Sequence, residues 1–153
     1  MRVTIIAVGR ARADAPESRL FADYLSRLPW PVDLREVEER RRLPAAALRK
    51  REAELIRARL PKGTFMVALD SGGRALTSAA FAEQVRGWRD RGGADLTFII
   101  GGAGGLASEL VGSAGFVLSL GPMVWPHLLA RAMLAEQLWR AHAILTGHPY
   151  HRG

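Results

Sequence analysis

The chain has 153 residues, no cysteine, 48% hydrophobic residues and 24% charged residues. This length and composition indicate one globular domain, residues 1–153, and exclude disulfide and thiolate chemistry. No apolar run approaches the roughly 20 residues that span a membrane. The net charge of +7 comes almost entirely from arginine. It favours a polyanionic partner, although an enzyme from an arginine-rich proteome would carry a similar charge.

The first part of the chain alternates strand-like and helix-like segments. Val3–Val8 is an apolar run closed by Gly9, which is typical of a strand buried on both faces. The run is too short for a signal peptide, so we expect a cytoplasmic protein without a membrane partner. Apolar residues at helical spacing predict a helix over residues 17–28. Alternation of apolar and polar residues over Val32–Val37 predicts an edge strand.

The next segments are a basic helix, a strand and a second helix. The basic helix, from about residue 45 to 60, is either a solvated surface or a rim that faces RNA. Thr64–Asp70 is an apolar run that predicts a third strand, which we expect to end at Ser71-Gly72-Gly73. Thr77 or Ser78 is the expected N-cap of the following helix. That helix is predicted to end at Arg91-Gly92-Gly93.

The second half of the chain holds the predicted binding loops. The apolar run Leu96–Ile100 is followed by residues 101–105, of which four are glycine. After a short helix over residues 107–114, the apolar run Phe116–Leu120 is followed by residues 121–126, which include two prolines. We predict two adjacent strands whose terminal loops let the backbone approach a small ligand. Ligands bind at this end of the strands in open α/β sheets.

The last predicted helix runs from His127 to about Ala143 and is apolar on most of its circumference. Such a helix must be covered on more than one side. We expect the sheet to cover one side and a second subunit to cover the other, so we predict a homodimer. The strands and helices alternate along the whole chain. This order predicts an α/β fold with a mainly parallel sheet and helices on both faces.

Two groups of polar residues stand out near the C-terminus. His127 and Arg131 share one face at the start of the last helix, where N–H groups and the helix dipole favour anions. The alternative is a capping histidine and a surface arginine. Residues 148–152 hold two histidines, a tyrosine and an arginine. This segment is either functional or an ordinary disordered end.

Several common site chemistries do not fit the sequence. Gly102–Ala107 matches G-x-G-x-x-A, the fingerprint of dinucleotide-binding loops. That fingerprint follows the first strand of a βαβ unit and has an acidic residue about 20 positions further on. Here the motif follows the fourth predicted strand, and no carboxylate lies between Glu109 and Glu136. No Gly-Lys-Ser/Thr completes a phosphate-binding loop. His148 and His151 have no cysteine or nearby carboxylate to complete a metal site, so we expect no metal. The chemistry is therefore expected to depend on a cofactor or an activated substrate.

Several motifs carry a family resemblance. In chain order they are Ile100-Gly101-Gly102 ahead of Leu106, Leu118-Ser119-Leu120, Pro126-His127-x-Leu129-x-Arg131, Ala135-Glu136-Gln137-Leu138-Trp139-Arg140-Ala141 and His148-Pro149-Tyr150-His151-Arg152. With them the whole chain resembles the RlmH family. These are bacterial SPOUT-class methyltransferases that modify N3 of a pseudouridine in large-subunit (23S) ribosomal RNA. The ending is the most specific of the motifs.

The resemblance implies a SPOUT-type fold with a C-terminal trefoil knot, a homodimer, and S-adenosylmethionine bound in the knot. It also implies ribosomal RNA within the assembled ribosome as the substrate. Carried over by position, the cofactor contacts are Leu69, Gly102, Gly121, Pro122, Met123, Val124, Trp125 and Pro126. Met123 and Trp125 would flank the adenine ring.

The reaction requires the methyl donor and the acceptor nitrogen to be aligned, and N3 must lose its proton. Our hypothesis is that four residues support the anionic base: Arg131, Tyr150, His151 and Arg152. The last three would come from the partner subunit, while His127 shapes the pocket or assists proton removal. Two alternatives are a related SPOUT enzyme that acts on transfer RNA and an RNA-binding protein without enzymatic activity.

Overall fold

The computed structural model describes residues 1–91 and 95–153, and the predicted helix end at Gly92-Gly93 lies outside the described residues. All ten predicted strands and helices are present in the predicted order. They are β1 (Val3–Val8), α1 (Pro16–Arg27), β2 (Val32–Val37), α2 (Ala45–Arg59), β3 (Phe65–Ala75), α3 (Ser78–Asp90), β4 (Leu96–Ile100), α4 (Ser108–Gly112), β5 (Phe116–Ser119) and α5 (His127–Thr146).

The five strands form one parallel sheet in the order β2-β1-β4-β3-β5, with β2 at an edge as predicted. Successive residues of a strand point to opposite faces, and here both faces are buried. Ile5 and Phe98 pack with α1, α3 and α5 on one face. Ile6 and Ile99 pack with α2 and α4 on the other. The predicted α/β architecture is therefore confirmed, while the trefoil knot stays a prediction.

The prediction that β4 and β5 are adjacent is wrong, because β3 lies between them. The first half of β3 pairs with β4, and both halves contact β5. Pairing partners in a sheet are set by contacts between distant segments, which the apolar pattern of each strand does not encode. The two loops nevertheless meet, because the carboxyl ends of all parallel strands lie at one edge of the sheet.

The predicted end of β3 at Ser71-Gly72-Gly73 is also wrong, since the strand continues to Ala75. Leu69 and Arg74 both pair with Leu118, so the residues between them form a bulge. A Cβ atom on Gly73 would lie 2.6 Å from the carbonyl oxygen of Val117. The glycine at this position thus permits close strand contact and does not mark the end of the strand.

Helix α5 is longer than predicted, ending at Thr146 with Gly147 in the left-handed conformation at φ 72°. It packs against α1, α3 and β4. Part of the covering that we expected from a second subunit is therefore supplied within the chain, and the homodimer stays a prediction. At the start of α3, the expected cap is confirmed, because the Thr77 hydroxyl accepts a hydrogen bond from the Ala80 N–H. Within the described ranges 1–91 and 95–153, no helix is long and apolar enough to cross a membrane.

The bulge in β3 leads to a stability prediction. Gly73→Ala is expected to lower the free energy of unfolding by about 1–3 kcal/mol, because its Cβ would overlap the backbone of β5. Gly112→Ala is the matched control, since nothing lies within 4 Å of a Cβ atom at that position. Urea unfolding followed by circular dichroism measures both variants. Equal midpoints for Gly73→Ala and the wild type would contradict this account of the bulge.

Candidate active site

The carboxyl ends of β4 and β5 and the middle of β3 enclose a groove of about 790 Å³ together with the first turn of α5. Most of the predicted site residues line it: Leu69, Gly102, Gly121, the residues Met123–Pro126, and His127. Pro122 lies between two of these lining residues and is exposed. The structure therefore brings the predicted cofactor-binding segments together in one place, as expected for ligand sites in open α/β sheets.

The glycine loop after β4 forms one wall of the groove. The Gly105 N–H donates a 3.0 Å hydrogen bond to the Gly102 carbonyl, which closes a tight turn. Gly105 has a φ of 77°, a conformation that glycine adopts without steric cost. A Cβ atom on Gly101 would lie 2.9 Å from the carbonyl carbon of Gly105. The loop thus requires glycine both for its turn and for its close packing, and it presents mainly backbone to the groove.

The loop after β5 forms the opposite wall and exposes apolar side chains. Met123, Val124 and Trp125 are 70%, 95% and 40% exposed. The Trp125 indole N–H donates a 3.3 Å hydrogen bond to the Leu120 carbonyl. Three adjacent exposed apolar side chains in a concave surface are typical of a site that a ligand or a partner covers.

His127 begins α5 beside the end of β1. A Cβ atom on Gly9, whose φ is 102°, would lie 3.2 Å from His127 Nε2 and 4.0 Å from Arg131 Nη2. The two predicted side chains therefore do share a face of the helix, and both lie against Gly9. His127 lines the groove from this position.

Arg131 points away from the groove and is only 3% exposed. Its Nη1 lies 2.7 Å from Glu36 Oε2, and its Nη2 donates to the Gly9 carbonyl at 3.1 Å. The interaction joins α5 to the ends of β1 and β2. Glu36 was not predicted as a site residue, because it is one of the polar residues of a strand in which apolar and polar residues alternate. Nothing in the sequence distinguishes it from the other polar residues of that strand.

The ionisation of Glu36 reflects this contact. Burial by itself would raise the pKa of the Glu36 carboxyl. The hydrogen bonds from Arg131 and from the Ala11 N–H, together with the charges of Arg131 and Arg10, outweigh that effect and lower the pKa below its usual value. The carboxylate is thus held in its charged form beside Arg131, and the pair is neutral overall.

The C-terminal tail, residues 148–153, is ordered against the middle of α5. The Tyr150 hydroxyl donates to Glu136 Oε1 at 2.9 Å, and Arg140 Nη1 lies 3.2 Å from His151 Nδ1. The guanidinium of Arg140 also lies over the Tyr150 ring, 4.7 Å from its centroid. Arg152 is exposed. These contacts favour an ordered tail over the disordered alternative.

The tail residues and the groove are separate within one chain. Of the described residues that line the groove, none belongs to the tail. Burial, and then hydrogen bonds with Tyr24 and Glu136, raise the pKa of the Tyr150 phenol above its usual value. Tyr150 is therefore protonated at neutral pH, and it can donate a hydrogen bond but cannot serve as a general base.

Two charged side chains, Asp70 and Arg49, also line the groove. Asp70 follows the first half of β3, and its Oδ2 accepts a 2.9 Å hydrogen bond from the Gly72 N–H. Arg49 reaches the groove from α2. Sequence reasoning placed Asp70 at a strand end and Arg49 in a basic helix, but it assigned neither to the site. In the part of the chain that the structure describes, no cluster of three histidine, aspartate or glutamate side chains could hold a metal ion.

Residues 1–151 match the family described as "Predicted SPOUT methyltransferase", and the chain belongs to this family of SPOUT methyltransferases. The chain is similar to proteins named ribosomal RNA large subunit methyltransferase H. The one from Rhodospirillum centenum is 51% identical, and the one from Paramagnetospirillum magneticum is 55% identical. Each comparison covers 99% of both chains. The resemblance to the RlmH family is therefore confirmed.

Two solved structures share the fold. A probable methylase family protein from Haemophilus influenzae has a TM-score of 0.60 at 12% identity, over 99% of this chain and 70% of that one. A ribosomal RNA small subunit methyltransferase E from Neisseria gonorrhoeae, bound to S-adenosylmethionine, has a TM-score of 0.54 at 14% identity, over 95% of this chain and 66% of that one. At these identities the similarity concerns the fold alone.

The Glu36–Arg131 contact leads to a second stability prediction. Glu36→Gln is expected to lower the free energy of unfolding at pH 7 by about 3 kcal/mol, because Arg131 would keep a buried charge without its partner. In the wild type, the pKa of Glu36 is lower in the folded protein than its unfolded value of about 4.3. This difference stabilises the fold fully at pH values above the unfolded pKa. This stabilisation is lost as the pH falls through the folded pKa, so the two proteins should converge in acid.

Urea unfolding at several pH values between about 3 and 7 measures the effect. Glu54→Gln is the matched control, because Glu54 is 52% exposed and pairs with Arg51 at the surface. A surface pair of this kind contributes about 0–1 kcal/mol. Equal effects of the two substitutions at pH 7 would contradict the structural importance of the Glu36–Arg131 contact.

Proposed function

We propose that the chain is an S-adenosylmethionine-dependent methyltransferase that modifies N3 of a pseudouridine in large-subunit (23S) ribosomal RNA on the assembled ribosome. The observation that carries the proposal is the groove, which gathers the segments predicted to bind the cofactor. The relatives at 51% and 55% identity are named for the large-subunit RNA. We place the protein in the cytoplasm as a single domain, with the trefoil knot of its family.

The groove suits S-adenosylmethionine in size and in chemistry. Its volume of about 790 Å³ lies within the range of about 300–1,000 Å³ for small-molecule sites. The glycine loop offers backbone groups, and Met123 and Trp125 offer apolar surface for an adenine ring. The residues that would hold the cofactor are Leu69, Gly102, Gly121, Pro122, Met123, Val124, Trp125 and Pro126. When bound, this cofactor supplies an activated methyl group.

The protein must then orient the acceptor base and support its loss of a proton. His127 lies at the groove and is the candidate to shape the pocket or assist the proton transfer. Arg131 is buried against Glu36. We therefore assign it a positioning role, holding the first turn of α5 and His127 against Gly9, in place of the direct contact with substrate that the sequence suggested.

The tail completes the site only if a second copy supplies it. Tyr150 and His151 contact Glu136 and Arg140, and Arg140 lies about 20 Å along the helix axis from His127. A second surface depression of about 460 Å³ contains the half-buried Leu129 and Met133. We propose that another copy of the chain covers this apolar surface. The homodimer would bring Tyr150, His151 and Arg152 of each chain to the groove of the other.

The proposed reaction is tested with ribosomes from a strain that lacks this protein. Wild-type protein is expected to bind S-adenosylmethionine in isothermal titration and to transfer its methyl group to one pseudouridine, located by mass spectrometry of the ribosomal RNA. Transfer RNA from the same strain is the control substrate. Methylation of transfer RNA in place of ribosomal RNA would contradict the substrate. A lack of cofactor binding both with and without ribosomes would favour an RNA-binding protein without enzymatic activity.

The proposed exchange of tails leads to a complementation experiment. Deletion of residues 148–153 is expected to abolish methylation and to leave cofactor affinity within a few-fold. Gly102→Val is expected to displace the glycine loop and so disable the groove, because a Cβ atom there already lies 3.0 Å from Val8 Cγ1. Mixed dimers of the two variants contain one intact groove facing one intact tail, so activity should return on mixing.

Each variant alone is the control, and its dimer mass is checked by analytical ultracentrifugation. Full activity of the deletion variant would contradict a role for the tail. Inactive mixtures that demonstrably contain mixed dimers would show that tail and groove belong to the same chain. A monomeric wild-type protein at micromolar concentration would contradict the homodimer.

A further inference from the structure

Arg49 is the one lysine or arginine among the described residues that line the groove. It is half-buried on α2. Its Nη1 and Cγ atoms lie 3.9 and 4.0 Å from the position of a Cβ atom on Gly104. The aliphatic part of the side chain therefore lies along the glycine loop, and its guanidinium group is held at the rim of the groove.

Two other arginines of this basic region, Arg41 and Arg51, are neutralised by carboxylates. Arg41 and Arg51 pair with Glu39 at 2.7 and 3.2 Å, and Arg51 also pairs with Glu54 at 3.1 Å. For Arg49, no carboxylate oxygen in residues 1–91 and 95–153 lies within 4 Å of its nitrogens. Its charge is therefore available to an anionic group that enters the groove.

The position of Glu52 indicates where that anion binds. Glu52 lies one turn from Arg49, is only 8% exposed, and places Oε2 3.5 Å from the position of a Cβ atom on Gly102. Among the described residues it has no hydrogen-bond or ion-pair partner. A carboxylate behind the glycine loop repels an anion deep in the groove. The favourable position for an anion is therefore on the side of Arg49 that faces away from Glu52.

We propose that Arg49 binds a backbone phosphate of the RNA next to the target nucleotide, an inference that rests on the proposed methyltransferase function. A guanidinium group can donate two parallel hydrogen bonds to a phosphate, which fixes the position of the phosphate as well as attracting its charge. A contact at the rim would place the adjoining base over the groove. Arg49 is thus a positioning residue for the RNA and leaves the cofactor untouched.

The test compares Arg49→Gln with Lys50→Gln, which removes the same charge from the neighbouring exposed position. Ribosomes from the strain that lacks this protein serve as substrate. Arg49→Gln is expected to raise KM for ribosomes about tenfold or more, the effect of losing one hydrogen-bonded charge contact. It should also reduce the slope of log KM against log salt by roughly 0.7–0.9. The affinity for S-adenosylmethionine, measured by titration, should stay within about twofold of the wild type, which also shows that the variant is folded.

Four results would overturn the inference. Equal increases in KM for Arg49→Gln and Lys50→Gln would indicate general attraction of RNA by charge. Weaker cofactor binding by Arg49→Gln with unchanged KM for ribosomes would assign the anion to the carboxylate of the cofactor. If the wild type is active and Arg49→Gln has the same KM for ribosomes, this inference is overturned and the proposed function stands. If the wild type is inactive, both the proposed function and this inference are overturned.

Discussion

Parallel pairing of the strands is the constraint on which the candidate site depends. Each connection between parallel strands must return across a face of the sheet, so every strand ends at the same edge. The glycine loop after β4 and the proline-containing loop after β5 therefore meet, although β3 separates the two strands. Strand β3 pairs with both neighbours through residues 67–69, and Leu69 and Asp70 line the same groove where the bulge begins.

The buried ion pair between Glu36 and Arg131 connects the two halves of the chain at this edge. Such a pair contributes little net stability, because desolvation of both charges offsets their attraction, but its geometry is specific. Arg131 also donates to the Gly9 carbonyl, so one guanidinium group holds the ends of β1 and β2 against the first turn of α5. The position of His127 at the groove follows from these contacts.

The sequence predicted those features whose causes are local. Apolar periodicity located the strands and helices, and glycine and proline located the loops that line the groove. It did not predict the strand order or the contact between Glu36 and Arg131, because these depend on residues far apart in the chain. Glycine after an apolar run was also ambiguous. At Gly101 it follows the end of a strand, whereas at Gly73 it permits a bulge inside one.

The ordered tail lies away from the groove of its own chain, and this separation is the basis for proposing a site shared by two chains. Trp139, Glu136 and Arg140 hold Tyr150 and His151 against the middle of α5, well away from the groove. The raised pKa of Tyr150 makes it a hydrogen-bond donor, which suits the stabilisation of an anionic base and does not suit proton removal. If the partner supplies these donors, no catalytic site exists until two chains associate. Fixing the tail on α5 before association would reduce the entropy lost when the composite site forms.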